Sequence, residues 1–252
     1  MNTLLRIAVG FTALCSPAQV SAQWALDGSP VCTLAGGQSR PAIVADGAGG
    51  AIIVWQDGRA GSNSADIYAQ RLDPAGLPLW TPGGIAVCTA AGIQLTPSAT
   101  SDGAGGAIVT WHDARSQIYD IYVQRVDATG AVQWTPDGVA LCVDPAIQAG
   151  TQVISDGAGG AIVAWEDYRN GISNRDIFAR RVSASGAPQW FTDGVPVCAA
   201  SGDQRRPRLV PDGAGGAVLT WQDDSSGDIY AQRIDAAGAA LWTADGVAVC
   251  SA

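Results

Sequence analysis

Asp156-Gly157-Ala158-Gly159-Gly160-Ala161-Ile162-Val163-Ala164-Trp165-Glu166-Asp167-Tyr168-Arg169 is the stretch that decides the fold, because close copies of it start at Asp46, Asp102 and Asp212. Asp-Gly-Ala-Gly-Gly is turn chemistry: glycine accepts positive φ, and Asp hydrogen-bonds backbone two residues on. The apolar run after it, Ala51-Ile52-Ile53-Val54-Trp55 in the first copy, is β-branched and aromatic and is bounded by glycine. That reads as a strand. Ala51, Ile53 and Trp55 face one way and Ile52 and Val54 the other, so both faces need cover. No segment reads as a helix, so other sheets must supply it.

Composition agrees. All 14 basic residues are Arg, 22 of the 23 acids are Asp, Glu166 is the one Glu, and 32 residues are Gly. The chain has no Lys and a single Glu, both usual helix formers, and is rich in turn formers. The net charge of −9 disfavours nucleic acid and anionic membranes as partners. No apolar run is long enough to span a bilayer, so membrane insertion is not expected. Residues 1–22 read as a secretory signal peptide, with Arg6, an apolar Ile7–Cys15 core, and Val20-Ser21-Ala22 before a cut at Gln23. A mature chain from residue 23 would be secreted, periplasmic or held at the cell surface.

The rest of the chain repeats in step. Trp to Cys is eight residues in five places (Trp24–Cys32, Trp80–Cys88, Trp134–Cys142, Trp190–Cys198, Trp242–Cys250), while Cys to turn Asp is 14 in all four repeats. The units run at about 33–88, 89–142, 143–198 and 199–250. In the third unit the strand candidates are Gln152–Ser155, Gly160–Trp165, Asp176–Val182 and Gln189–Cys198, the last split by an Asp193-Gly194 turn. Four strands in a period of roughly 50 residues is the signature of a β-propeller blade. The expected fold is therefore all-β, a propeller or partial propeller. Five Trp–Cys units against four copies of the rest leave two possibilities, a closed four-blade ring with a redundant end or an incomplete ring that is part of a longer propeller, whose open end would leave an apolar blade face bare.

The motifs D-G-A-G-G-A-I-V-x-W, D-I-Y-A-Q-R-V-D and W-x-x-D-G-V-A-V-C resemble repeats of bacterial secreted β-propeller proteins, and are distantly similar to sialidase-like propellers. The resemblance covers residues 24–252. It implies a propeller and admits glycan chemistry. The sialidase Asp-box, S-x-D-x-G-x-x-W, is absent: Asp102 to Trp111 is nine residues.

Candidate site residues are departures from the repeat. The one interval that varies lies in Gly58–Ala65, Ala114–Tyr119, Tyr168–Arg175 and Asp224–Gly227, loops expected on one face. Arg59, Arg115 and Arg169 begin three of them, beside Tyr168, and could grip a carboxylate or sulfate bidentately. His112 and Glu166 fill a slot held elsewhere by Gln56 and Gln222. His112 joins the ligand-binding candidates, although the slot reads most simply as a solvated strand position. Asp57, Asp113, Asp167 and Asp223 are expected to pair with Arg71, Arg125, Arg181 and Arg233. The Arg205-Arg206-Pro207-Arg208 cluster reads as a solvated basic patch. The repeat-locked Cys and Trp read as packing residues, without disulfides. No catalytic constellation, metal motif or cofactor motif is present, and calcium has no D-x-D-x-D-G loop to hold it. The expected function is an exported, non-enzymatic scaffold whose variable-loop face binds an extracellular protein or glycan. The alternatives are a sialidase-like glycan-active enzyme and a multivalent lectin.

Overall fold

The computed structural model describes residues 28–61 and 64–250. The proposed leader and Trp24 lie outside these residues. The chain forms four antiparallel sheets in sequence order. The first blade contains β1 (Gln38–Ala45), β2 (Ala51–Asp57), β3 (Asp66–Leu72) and β4 (Ile85–Cys88). The second contains β5 (Gln94–Ser101), β6 (Ala107–Asp113), β7 (Asp120–Val126) and β8 (Val139–Cys142). The third contains β9 (Gln148–Ser155), β10 (Ala161–Asp167), β11 (Asp176–Val182), the two-residue β12 (Pro188–Gln189) and β13 (Val195–Cys198). The fourth contains β14 (Gln204–Pro211), β15 (Ala217–Asp223), β16 (Asp228–Ile234) and β17 (Val247–Cys250). Among the described residues there is no helix long and apolar enough to cross a membrane.

Each blade is a meander, and the blades stack through their apolar faces. One cluster joins Ile52, Val54 and Trp80 of the first blade to Ala107, Val109 and Trp111 of the second. Equivalent clusters join the second to the third and the third to the fourth. Each fully buried Ile, Leu or Val contributes about 1.5–3 kcal/mol, which makes these junctions the core of the molecule. The burial patterns show the stacking order directly. β6 and β10 are buried at all seven positions, whereas β2 and β15 alternate. A strand covered on both sides buries every residue, and a strand covered on one side buries every second one. No apolar cluster among the described residues joins the fourth blade to the first.

The first strands β1, β5, β9 and β14 are the innermost, each adjoining the next. The Asp-Gly-Ala-Gly-Gly turn closes each β1–β2-type hairpin. In the second blade Asp102 Oδ1 accepts from the Ala104 and Gly106 amides at 2.8 Å. Its Oδ2 accepts from Arg125 Nη2 at 2.9 Å. Arg71, Arg181 and Arg233 pair in the same way with Asp46, Asp156 and Asp212. This corrects the expected partners: the blade arginines hold the turn carboxylates, not Asp57, Asp113, Asp167 and Asp223. A strand hairpin sets the pairing, because it returns the third strand beside the turn that opens the second. All five described cysteines are free.

Candidate functional site

Asp57, Asp113 and Asp167 have other partners. In the second blade Asp113 Oδ1 accepts from Arg115 Nε at 2.9 Å, and Oδ2 accepts from Arg115 Nη2 at 2.6 Å and from Trp111 Nε1 at 2.8 Å. Arg115 Nη2 also donates to the Asp137 carbonyl at 2.7 Å and approaches Cys88 Sγ of the preceding blade at 3.4 Å. Its guanidinium lies 3.9 Å from the Tyr122 ring centroid. Arg59 and Arg169 repeat this arrangement on Asp57 and Asp167. Burial works to raise the Asp57 carboxyl, but hydrogen bonds from Arg59 and Trp55 outweigh it and hold it below the usual range. The three loop arginines are therefore clamps inside separate blades. A carboxylate of the protein already occupies the bidentate fork that a ligand would need. The fourth blade has Ser225 in place of the arginine, and its Trp221 Nε1 is buried without a partner. Tyr168 accepts from Arg175 Nη1 at 3.2 Å, and Arg175 bridges to Asp203 at 2.7 Å, tying the third blade to the fourth.

The departures that do come together lie on the inner strands. Each inner strand has an irregularity near its start, where register shifts against the second strand. At that point Arg40, Thr96, Gly150 and Arg206 take left-handed φ of 51°, 49°, 64° and 55°. A non-glycine residue in this region is uncommon, and such outliers concentrate at binding sites. A bulge also re-aims the side chain it carries. A readable signal for these bulges is proline: Pro41, Pro97 and Pro207 follow three of the four residues. Proline inside a strand marks an edge or a bulge.

The Gln/His/Glu slot lies behind these bulges. His112 and Glu166 are each 9% exposed, so the expectation of a solvated strand position is corrected. They are buried because each reaches across a blade junction. His112 Nε2 accepts from the Thr151 amide at 3.3 Å, in the third blade. Nδ1 must then carry the proton, which it donates to Thr96 Oγ1 at 2.8 Å. Burial, with a smaller contribution from the Arg40 charge, lowers the imidazole pKa to about 4. The ring is thus neutral at pH 7 and serves as a fixed hydrogen-bonding strut. Glu166 Oε1 accepts from the Arg206 amide at 2.9 Å, in the fourth blade, while Oε2 lies 3.6 Å from Arg175 Nη1. On the fourth blade Gln222 Nε2 instead donates to Asp224 Oδ1 at 2.8 Å.

Between the inner strands lies an open cleft of about 480 Å³. It is lined by residues 40–42 of the first blade, 96–98 of the second, 150–152 of the third, and His112. Its size falls in the range of small-ligand sites. Its lining is mixed: Thr96, Ser98, Thr151 and Gln152 supply hydrogen-bonding groups, Pro41, Ala42 and Pro97 supply apolar contact, and no carboxylate lines it. Arg40 is exposed and has no ion-pair partner among the described residues. Nine of the described arginines do have acidic partners. Arg206 and Arg208 on β14 also lack carboxylate partners; Arg206 reaches Gln222 and Arg208 a carbonyl. Of the four described arginines without a carboxylate partner, Arg40, Arg206 and Arg208 lie on inner strands, while Arg180 lies on β11 and donates to carbonyls. No group of three or more potential metal ligands occurs among the described residues.

No family model matches the sequence, and no curated protein matches it. The fold has solved relatives. A Hadza microbial sialidase aligns with 83% of the chain at 13% identity and a TM-score of 0.51, and the chain spans about half (47%) of that protein's length. An endo-arabinase from Bacteroides thetaiotaomicron aligns with 84% of the chain at 17% identity and a TM-score of 0.47, over 78% of its own length. A GH43 endo-arabinanase from Bacillus licheniformis aligns with 81% at 13% identity and a TM-score of 0.43, over 77% of its length. The chain is an all-β protein of propeller blades, distantly similar in fold to sialidase-like propellers.

Proposed function

We propose that this chain is an exported glycan-binding propeller whose central cleft takes an acidic sugar. The observation that carries the reading is Arg40. It is an exposed arginine without a counter-ion, set by a strained bulge at the edge of a cleft whose other polar groups are hydroxyls, an amide and a neutral imidazole. Hydroxyl and amide groups suit sugar hydroxyls, and an uncompensated guanidinium suits a sugar carboxylate. The slot differs from blade to blade, which favours one site per chain over one per blade. The variable loops are not required, because their arginines are already paired.

Calorimetric titration of the full chain tests this with sialic acid, galacturonate and galactose. The expected result is one site for the acids, weakened by salt and by Arg40→Ala, with galactose bound less well. Equal binding of acid and neutral sugars, or acid binding unchanged in Arg40→Ala, would refute it.

Glu166 supports a second reading, a glycan-active enzyme, because it is a buried carboxylate beside the mouth. Glycosidases ordinarily pair two carboxyl groups about 5–10 Å apart across the bond. The cleft offers no second one, and both oxygens of Glu166 are already engaged. Turnover of a fluorogenic sialoside or uronide that disappears in Glu166→Gln would favour hydrolysis over binding alone.

A further inference from the structure

One slot recurs in all four blades, and an arginine fills it in three. In the second blade the Arg115 guanidinium lies between the Asp113 carboxylate, the Asp137 carbonyl, Cys88 Sγ and the Tyr122 ring. The first and third blades place Arg59 and Arg169 in the same surroundings. In the fourth blade the residue at this position is Ser225.

The rest of the slot is kept there. Ser225 N donates to Asp223 Oδ1 at 2.8 Å, as Arg115 N does to Asp113 Oδ1 at 3.0 Å, so residue 225 starts from the same backbone position. The Trp221 and Tyr230 rings stack at 6.3 Å, as Trp111 and Tyr122 do at 6.4 Å. Asp245 Oδ1 accepts from the Ala199 amide at 2.9 Å, as Asp137 does from Thr89, which keeps the Asp245 turn beside Cys198. All of these groups belong to the third and fourth blades, so the slot is complete within the described residues. It shares no residue with the central cleft.

What changes is the charge. Asp57, Asp113 and Asp167 each pair with their arginine, whereas Asp223, 8% exposed, has no ion-pair partner among the described residues. Its Oδ2 meets Gln204 Nε2 at 3.5 Å, where Asp113 Oδ2 accepts from Arg115 Nη2 at 2.6 Å. Burial raises the Cys198 thiol, and the charges that add to it are those of Asp245, Asp223 and Asp176. Beside Cys88 and Cys142 an arginine opposes the carboxylates. A buried carboxylate without a counter-ion is unfavourable. Trp221 is the second sign. It is 2% exposed, and its Nε1 has no partner, although the equivalent Nε1 in the other three blades donates to the gripped carboxylate oxygen at 2.7–2.9 Å. The arginine side chains in those three slots are 20–24% exposed, and residues 224–227 of the fourth blade are exposed, so a group can enter from solvent.

We infer that the fourth-blade slot binds a guanidinium group supplied from outside the chain, either a partner's arginine side chain or a small guanidinium compound. The group donates in a fork to Asp223 and once more to the Asp245 carbonyl, and it stacks on the Tyr230 ring. Gripping the carboxylate turns Oδ2 from Gln204 to Trp221 Nε1, as in the other blades. An ammonium lacks both the planar fork and the stacking face, so it substitutes poorly.

Indole ¹⁵N–¹H spectra of the full chain, with the Trp221 resonance assigned, test this. The ligands are methylguanidinium, methylammonium at equal ionic strength, and the blocked peptide acetyl-Gly-Arg-Gly-amide. Methylguanidinium is expected to shift the Trp221 indole saturably, and methylammonium to require at least about tenfold more for the same shift. Ser225→Arg supplies the group from within the chain. It is expected to show the shifted indole without ligand and to respond to none. The peptide separates the two sources: a shift with peptide assigns the slot to a partner's arginine, and a shift with methylguanidinium alone assigns it to a small compound. A Trp221 indole that no guanidinium moves overturns the inference. So does an equal response to the two small cations, or a folded Ser225→Arg chain that titrates like the wild type.

Discussion

Replacing His112 with Gln, the residue found in the same slot at positions 56 and 222, removes one buried base and leaves a side chain able to serve Thr96 and Thr151. Folding lowers the His112 pKa from 6.5 to about 4. The folded state therefore binds fewer protons than the unfolded state between these values, and stability rises with pH across that window. Stability from this group is fully present above pH 6.5 and is lost as pH falls towards 4. With these two values the loss between pH 7 and pH 5 is about 2 kcal/mol, approaching about 3 kcal/mol below pH 4. Other groups titrate nearby. Burial, aided by Asp57, Asp113 and Asp167, raises the carboxyls of Asp66, Asp120 and Asp176, which favours folding at lower pH. Those groups are common to both proteins and cancel in the difference. Urea unfolding at pH 7 and pH 5, for wild type and His112→Gln, isolates the histidine. The wild type should lose about 2 kcal/mol more than the variant over that interval. Equal losses would show that His112 is not a buried neutral strut, and the geometry given for the cleft would be wrong.

Three further outcomes follow from the blades. Arg115→Ala leaves the fully buried Asp113 unpaired and should cost about 3–5 kcal/mol in urea unfolding; a loss under 1 kcal/mol would mean that the clamp is not a structural pair. Gly138→Ala drives a Cβ to within 2.5 Å of the Trp111 ring at a φ of 93°, whereas at Gly103 the same change meets open space. The first should cost at least about 2 kcal/mol more than the second by thermal melting, because only the second escapes a clash. Burial pushes the thiols of Cys88, Cys142 and Cys198 up to about 12. Iodoacetamide in native buffer should therefore leave these three unmodified and label the exposed Cys250, as read by mass spectrometry.

Glycine punctuation and β-branched runs were enough to place the third blade's Asp176–Val182 strand at its observed bounds and its second strand to within two residues, while the first strand starts at Gln148, four residues before the expected Gln152. The split of the last segment at Asp193-Gly194 was equally legible, because that turn needs Asp193 at a positive φ of 57°. Strict spacing also identified Trp and Cys as packing residues. Charge pairing was less legible. The Asp after each first Trp and the Arg of each third strand recur once per repeat, but only the hairpin register shows that Arg71 meets Asp46 while Asp57 meets Arg59. The loop arginines looked available for a ligand because nothing in a linear sequence reveals that the carboxylate two residues earlier folds back onto them. Burial of His112 and Glu166 depends on the neighbouring blade, a contact about 40 residues away in sequence. The inner-strand bulges did carry a local signal, the prolines after Arg40, Thr96 and Arg206, but it becomes a site only when three blades converge.

His112 is the only histidine in the chain, and its side chain lines the cleft. Its ring nitrogens are therefore a single-site reporter for the proposed ligand. Imidazole ¹⁵N–¹H correlation spectra of the full chain, recorded while sialic acid is added, are the most direct measurement. The account predicts a protonated Nδ1 and an unprotonated Nε2 before addition. It also predicts saturable shifts of that one spin system on binding, which Arg40→Ala moves to higher ligand concentration. Binding that leaves His112 unmoved while resonances elsewhere shift would contradict it and place the ligand outside the central cleft.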